Sequence, residues 1–364
     1  MVFAAAVVVL LRDDAPAPAQ GNEFETVITA DGVQLTGQFQ KAKNGGNNDP
    51  VVILMYPPGV DRNMDKGEWK SLANFLTEQG YHVFRFDWRG HGKSNILKGR
   101  TFWENAWTGP ANKKLIKGSA KMPGMINVKD FNPAYFPLYV NDLAAVRAHL
   151  DQKNDAGDLN TSSVYLIGSD EAATLGIFWL AAEWSRPAVY TATPVAPNGY
   201  EVLPDGRFAN VRDNPTTAAG ATYAGCVWLT ANRPQSIHAQ TARDWTKTYA
   251  QALRDNNPML FLYGDKDSQG KSRSEEYYKE VLLAAPPKGS SVKPLEQTFI
   301  RAVNGAGQLK GAALLGNNVK LGTEDTIVKY LSALQKERAK VARKQRMYNA
   351  PYFVDLASFG VRLP

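Results

Sequence analysis

The stretch LIGSDEAATLG, residues 166–176, is where an apolar run meets a helix of small residues. The run ends at Gly168, two residues pass, and apolar residues resume at helical spacing. That is the layout of a buried strand, a sharp turn and a helix packed close to the strand's end, with Asp170 at the centre of the turn.

The surrounding chain repeats the same alternation. Upstream, PVVILMYP and YHVFRFD are continuous apolar runs, the mark of strands buried on both faces. Between them DKGEWKSLANFLTEQG sets Trp69, Leu72, Ala73, Phe75 and Leu76 on one helical face and closes at Gly80. Strand, helix, strand is a parallel crossover unit. Ahead of it, ETVITADGVQLTGQFQ alternates about Asp31 and Gly32 as a two-residue hairpin does. YVNDLAAVRAHLD is a helix leading into strand SSVYLIGS. Beyond the turn come strand CVWLTA, helix TARDWTKTYAQALRD, strand PMLFLYGD, a helix over 272–285, strand QTFIRAV, and a long helix TEDTIVKYLSALQKERAKVARKQ with Thr323 as its N-cap. The pattern predicts an α/β fold: a mostly parallel, doubly wound sheet with an N-terminal antiparallel hairpin. Residues 96–136, with three prolines and no clear periodicity, read as an irregular insertion, and 193–222 as a polar excursion.

A chain of 364 residues with 44% hydrophobic and 10% aromatic content builds a large core. The predicted organisation is one elaborated domain over 23–346, preceded by a segment over 1–22 and followed by an aromatic tail over 347–364. The net charge of +7 is spread over 42 Lys and Arg, a solvated surface rather than a nucleic-acid footprint, so no nucleic-acid partner is expected. The basic run KERAKVARKQR, 336–346, reads either as a solvated helix or as a polyanion site, and the aromatic tail as folding back onto the body. The single Cys226 excludes an intrachain disulfide and sits in an apolar stretch as a buried thiol. Residues 2–11, VFAAAVVVLL, have signal-peptide length, with small residues for cleavage after Ala19. No basic residue precedes them, and Arg12, Asp13 and Asp14 intrude between the apolar run and that cleavage site. The expectation is an exported protein, periplasmic, extracellular or membrane-anchored, with envelope association through its N-terminus. If the segment is not a signal, the protein is cytoplasmic.

Taken in order, FRFDWRGHGKS at 84–94, VNDLAAVRAHL at 140–150, IGSDEA at 167–172 and PMLFLYGDKD at 258–267 resemble the α/β-hydrolase superfamily. The resemblance runs from about residue 24 to about residue 340 and implies the α/β-hydrolase fold. The family's G-x-nucleophile-x-G elbow lies over Gly168, Ser169, Asp170, Glu171 and Ala172, which puts Asp170 at the nucleophile position. The family's acid lies at Asp267, with Asp265 as the alternative; the same aspartate also reads as a plain helix cap. The family's histidine belongs in the loop after the last strand, RAVNGAGQLKGAALLG, which contains none; Gln308 or a near neighbour takes its place. Glutamine cannot accept a proton from water. Four histidines exist, His82, His91, His149 and His238, and none lies C-terminal to Asp267. The oxyanion loop reads Tyr56-Pro57-Pro58-Gly59, with Gly59 or Val60 as remaining donors, since proline has no N–H. Glu171 fits the helix dipole.

These residues favour a non-catalytic binding or scaffolding protein with a degenerate triad at Asp170, Asp267 and Gln308, and a pocket and oxyanion loop at Tyr56, Gly59, Val60 and Glu171. Its ligand is an unidentified small molecule or protein, and no cofactor or metal is expected. The alternative is an active esterase-, epoxide hydrolase- or dehalogenase-like enzyme with Asp170 as nucleophile and an unusual base such as His238.

Overall fold

The computed structural model describes residues 24–186, 218–282, 297–315, 320–346 and 351–362. The segment over 1–22 and residues 193–217 of the polar excursion lie outside the described residues.

Among the described residues, β1 (Phe24–Ile28) and β2 (Val33–Gln40) form the expected antiparallel hairpin across Asp31 and Gly32. Then β3 (Pro50–Met55), α1 (Glu68–Glu78) and β4 (His82–Phe86) make the first parallel crossover. A two-residue β5 (Ile96–Leu97) pairs with β2. The rest of the sheet is β6 (Asn160–Ser169), β7 (Tyr223–Leu229), β8 (Met259–Gly264) and β9 (Phe299–Val303), all parallel. Leaving β5 aside, the order across the sheet is β1-β2-β4-β3-β6-β7-β8-β9. The winding reverses between β3 and β6, so both central strands present their C-terminal ends to one crevice. Both are buried along their whole length, β3 with its continuous apolar run and β6 with apolar residues 164–167 following four buried polar residues.

The segment over 96–136 is more regular than its sequence suggests. It holds α2 (Thr101–Glu104), α3 (Gly109–Leu115) and short 3-10 turns, stapled by bridges Ile96–Met125 and Ile116–Phe131. Prolines cut it into pieces too short to show a period, yet Phe102 and Trp103 are fully buried. Next come α4 (Val140–Ala156) and α5 (Glu171–Glu183).

The stretch read as one helix over TARDWTKTYAQALRD is two, α6 (Ala239–Lys247) and α7 (Ala250–Asn256). The break falls at Tyr249, whose ring packs on Phe359 at 6.2 Å, so a tertiary contact overrides helix propensity. The helix predicted over 272–285 starts earlier, as α8 (Ser268–Glu276), and passes into a π-helical turn over Tyr277–Leu282. The last helix, α9 (Thr323–Arg338), is capped by the left-handed Gly322 rather than by Thr323, and ends eight residues before the basic run does. Arg338 hydrogen-bonds the carbonyls of Ser162 and Ala221, and the wholly buried Arg346 lies 3.4 Å from Asp151. These arginines fasten the chain to the body rather than face solvent. The tail folds back as expected: Phe359 stacks on Trp245 at 5.5 Å, and the Tyr352 hydroxyl donates to the buried Glu183. Cys226 is a free, buried thiol whose pKa burial pushes well up.

Candidate functional site

Strand β6 ends at Ser169 and α5 begins at Glu171, so the reversal falls on Asp170 alone, at φ 49° and ψ −123°. A non-glycine residue there is strained by roughly 1–3 kcal/mol and persists only where its surroundings hold it. They do: the Asp170 N–H donates to the Leu229 carbonyl at 3.0 Å, and the Asn232 N–H donates to the Asp170 carbonyl at 3.1 Å. The small neighbours let the helix come close. A methyl on Gly168 would meet the Ala172 backbone and Met55 at 3.2 Å, and one on Gly176 would sit 2.5 Å from the Trp228 indole. This explains the composition of residues 166–176: the turn is built by close packing.

The Asp170 carboxylate lies mostly buried against the loop after β9. A methyl on Gly311, where φ is +53°, would fall 2.0 Å from Asp170 Oδ2. Burial, then the negative charge of Glu171, push the Asp170 pKa up to about 7, and the charges of Arg62 and Lys310 oppose that rise. Ser169 is fully buried and so does not face solvent as a nucleophile would.

With this strand order and this turn at the C-terminal end of β6, the fold is settled. It is the α/β-hydrolase fold.

No family model matches the chain. The uncharacterised protein YfhR of Escherichia coli K12 is 33% identical over 79 residues, which are 22% of this chain. The match spans 26% of YfhR's own length, about a quarter of that relative. Among solved structures, the Pyrococcus furiosus esterase Pf2001 is similar at TM-score 0.45 and 13% identity, over 86% of this chain and 90% of that one. A serine hydrolase homologue from Coxiella burnetii is similar at TM-score 0.42 and 14% identity, over 88% and 99% of the two chains.

Asp267, the candidate acid, is buried. It caps α8, accepting the Gly270 N–H at 3.0 Å, and also lies 3.4 Å from the Lys310 ammonium; its Oδ2 has no partner. The cap reading of this aspartate therefore holds, and Lys310 ties it to the loop after β9. Asp265 is fully exposed and accepts the N–H groups of Gly305 and Gly307, bonds that lower its pKa and shape the loop. The structure does not bring Gln308 to the carboxylates; it is exposed. The loop reaches them through its next turn instead, Lys310 on Asp267 and Gln269, and Gly311 on Asp170. The positive φ of Gly311 carries the loop inward, and only the glycine itself hinted at this.

The histidines are accounted for elsewhere. His82 is held between the Ala42 N–H and the Gly46 carbonyl, and His149 lies 2.6 Å from Glu25. His238 is exposed at the start of α6 and makes no hydrogen bond to Asp170. His91 accepts the Gly59 N–H on Nε2 at 2.8 Å, so Nδ1 carries the proton and donates to the Arg89 carbonyl. Burial brings its pKa down to about 4, which keeps the ring neutral.

That bond takes up one N–H of the oxyanion loop. Pro57 and Pro58 have no N–H, and the Gly59 N–H is committed to His91. Tyr56 turns into the core, its hydroxyl donating to Asp87 at 3.1 Å, while Val60 is half exposed. Glu171 faces a cleft of about 290 Å³ beside the elbow, its Oε1 accepting the Asn232 side-chain amide at 2.8 Å. Asn232 and Arg62 went unnoticed in the sequence because nothing periodic marks them. A larger cavity, about 720 Å³, lies away from Asp170 between Trp107 and the tail.

Proposed function

We propose that this protein uses the α/β-hydrolase fold to bind a ligand in the cleft beside the Asp170 elbow, lined by Glu171, without hydrolysing it. One observation carries the proposal. The Gly311 backbone stands against the Asp170 carboxylate, where a proton acceptor for an attacking water would have to be. General-base catalysis needs such an acceptor within hydrogen-bond reach, and the nearby Lys310 is a donor to Asp267 and Gln269. The committed Gly59 amide supports the same reading, because an acyl intermediate would lack one arm of its oxyanion hole. Fluorophosphonate probes of serine hydrolases are expected to leave the purified protein unlabelled. Labelling of wild type that disappears in Ser169→Ala would overturn the proposal.

A second reading, an Asp170 nucleophile, is favoured by the strained turn that lifts this side chain from the strand end. It requires an ester on Asp170. With no histidine after Asp267 in the sequence to serve as base, that ester would accumulate, and intact mass after incubation with an alkyl halide or epoxide reports it directly. We also propose export, on the strength of the apolar residues 2–11 and the small residues before position 20. Recovery of the chain from the cytosolic fraction alone would overturn that.

A further inference from the structure

The cleft beside Asp170 has an unusual chemical make-up. One wall is four aromatic rings that pack on one another: Phe131 on Tyr135 at 4.5 Å between centroids, Tyr135 on Tyr139 at 5.8 Å, and Phe136 on Tyr139 at 6.2 Å. Tyr135, Phe136 and Tyr139 are buried, with the Tyr135 hydroxyl on Asn112 at 2.8 Å, so the partly buried Phe131 is the ring with surface to offer a ligand. Prolines line other parts, and Glu171 is the only charged side chain among the lining residues. Its Oε1 is taken by Asn232, and its other oxygen has no hydrogen-bond partner among the described residues. Arg62 and Lys310 influence Asp170, but neither lines the cleft.

From this juxtaposition of the Phe131 ring, backed by three buried aromatics, with a single half-committed carboxylate, we infer that the cleft selects a small organic cation, an ammonium group with apolar substituents. The inference rests on the reading of this cleft as the ligand site. Aromatic faces attract a cation through their ring quadrupole while accepting its methyl groups as apolar surface. The carboxylate supplies the counter-charge. An anion would meet Glu171 with like charge, and a neutral ligand of the same shape would desolvate that carboxylate and return nothing to it. A cleft of about 290 Å³ admits such a cation but no long chain.

Calorimetric titration of the full chain with choline and with its neutral carbon isostere, 3,3-dimethyl-1-butanol, tests this. Choline is expected to bind at least about tenfold more tightly than the isostere. Glu171→Gln is expected to remove most of that difference while circular dichroism stays unchanged, and Phe131→Leu to weaken choline more than the isostere. Equal binding of the two ligands, or choline binding unmoved by Glu171→Gln, overturns the cation assignment and leaves the cleft as a ligand site. Binding of neither ligand overturns both. Fluorophosphonate labelling, by contrast, would remove only the claim that no hydrolysis occurs, so the two failures are distinguishable.

Discussion

Replacing Arg89 with methionine is expected to destabilise the protein by at least about 3–5 kcal/mol, read as a lower urea midpoint at unchanged m-value. Arg89 is fully buried. Its guanidinium lies 2.7 Å from Asp31 in the hairpin turn and 2.7 Å from Asp142 in the first turn of α4, and it donates to the Tyr135 hydroxyl at 3.1 Å. Its own N–H donates to Asp142 as well, at 2.9 Å. One cation thus ties the antiparallel edge of the sheet, the loop after β4 and α4 together. Removing it leaves two carboxylates in the core without a counter-charge, and the penalty comes from those orphaned charges more than from the lost attraction. The penalty depends on pH. Burial already raises the Asp142 pKa to about 6 even with Arg89 in place. Without the guanidinium it would rise further, so the deficit of the variant should be larger at pH 8 than at pH 5. Adding Asp142→Asn should recover part of it. A loss below about 1 kcal/mol, or one equal at the two pH values, would show that the cluster does not hold the fold in this way.

This network also shows why some parts of the molecule can be read from sequence and others cannot. The RGHG turn stands out as a landmark because it does two jobs over a short stretch: Arg89 clamps the core, and His91 anchors Gly59. Strand β3 and residues 164–167 of β6 are legible because burial on both faces forces an apolar run there. The turn at Asp170 is legible because Gly168, Ala172 and Gly176 must all be small for α5 to reach the sheet. The loop after β9 obeys no such rule. Its sequence shows that histidine is missing, but the residue that meets Asp170 depends on where a left-handed glycine turns the chain: Gly311 stands against Asp170 and Lys310 against Asp267, while Gln308 is exposed. The ends of α6 and α9 were illegible for a related reason: distant partners, Phe359 for Tyr249 and the Ser162 and Ala221 carbonyls for Arg338, fix them.

Asp170→Asn should stabilise the protein at pH 8 by on the order of 2–4 kcal/mol and give little or no gain at pH 4. The folded state holds the Asp170 proton to about pH 7, whereas the ordinary value is 3.8. Between those values the native chain binds more protons than the unfolded one, so this group's contribution falls as pH rises through that window and reaches its full cost above about 7. Asparagine has nearly the same shape, tolerates a positive φ, and carries no charge to desolvate, so the substitution removes the electrostatic cost without relieving the strain of the turn. Every other titrating group is common to the two proteins, and the difference in their unfolding free energies from pH 4 to 8 therefore isolates this one carboxyl. A gain that does not change with pH would mean that Asp170 is charged throughout. A residue held in a strained turn, pressed against Gly311 and charged at an energetic cost, contributes nothing to the fold that asparagine would not. Such a cost is typical of positions kept for what they contact rather than for stability. The same variant therefore separates the two readings of the site: it abolishes any ester with an alkyl halide or epoxide, yet leaves the preference for choline over its isostere resting on Glu171.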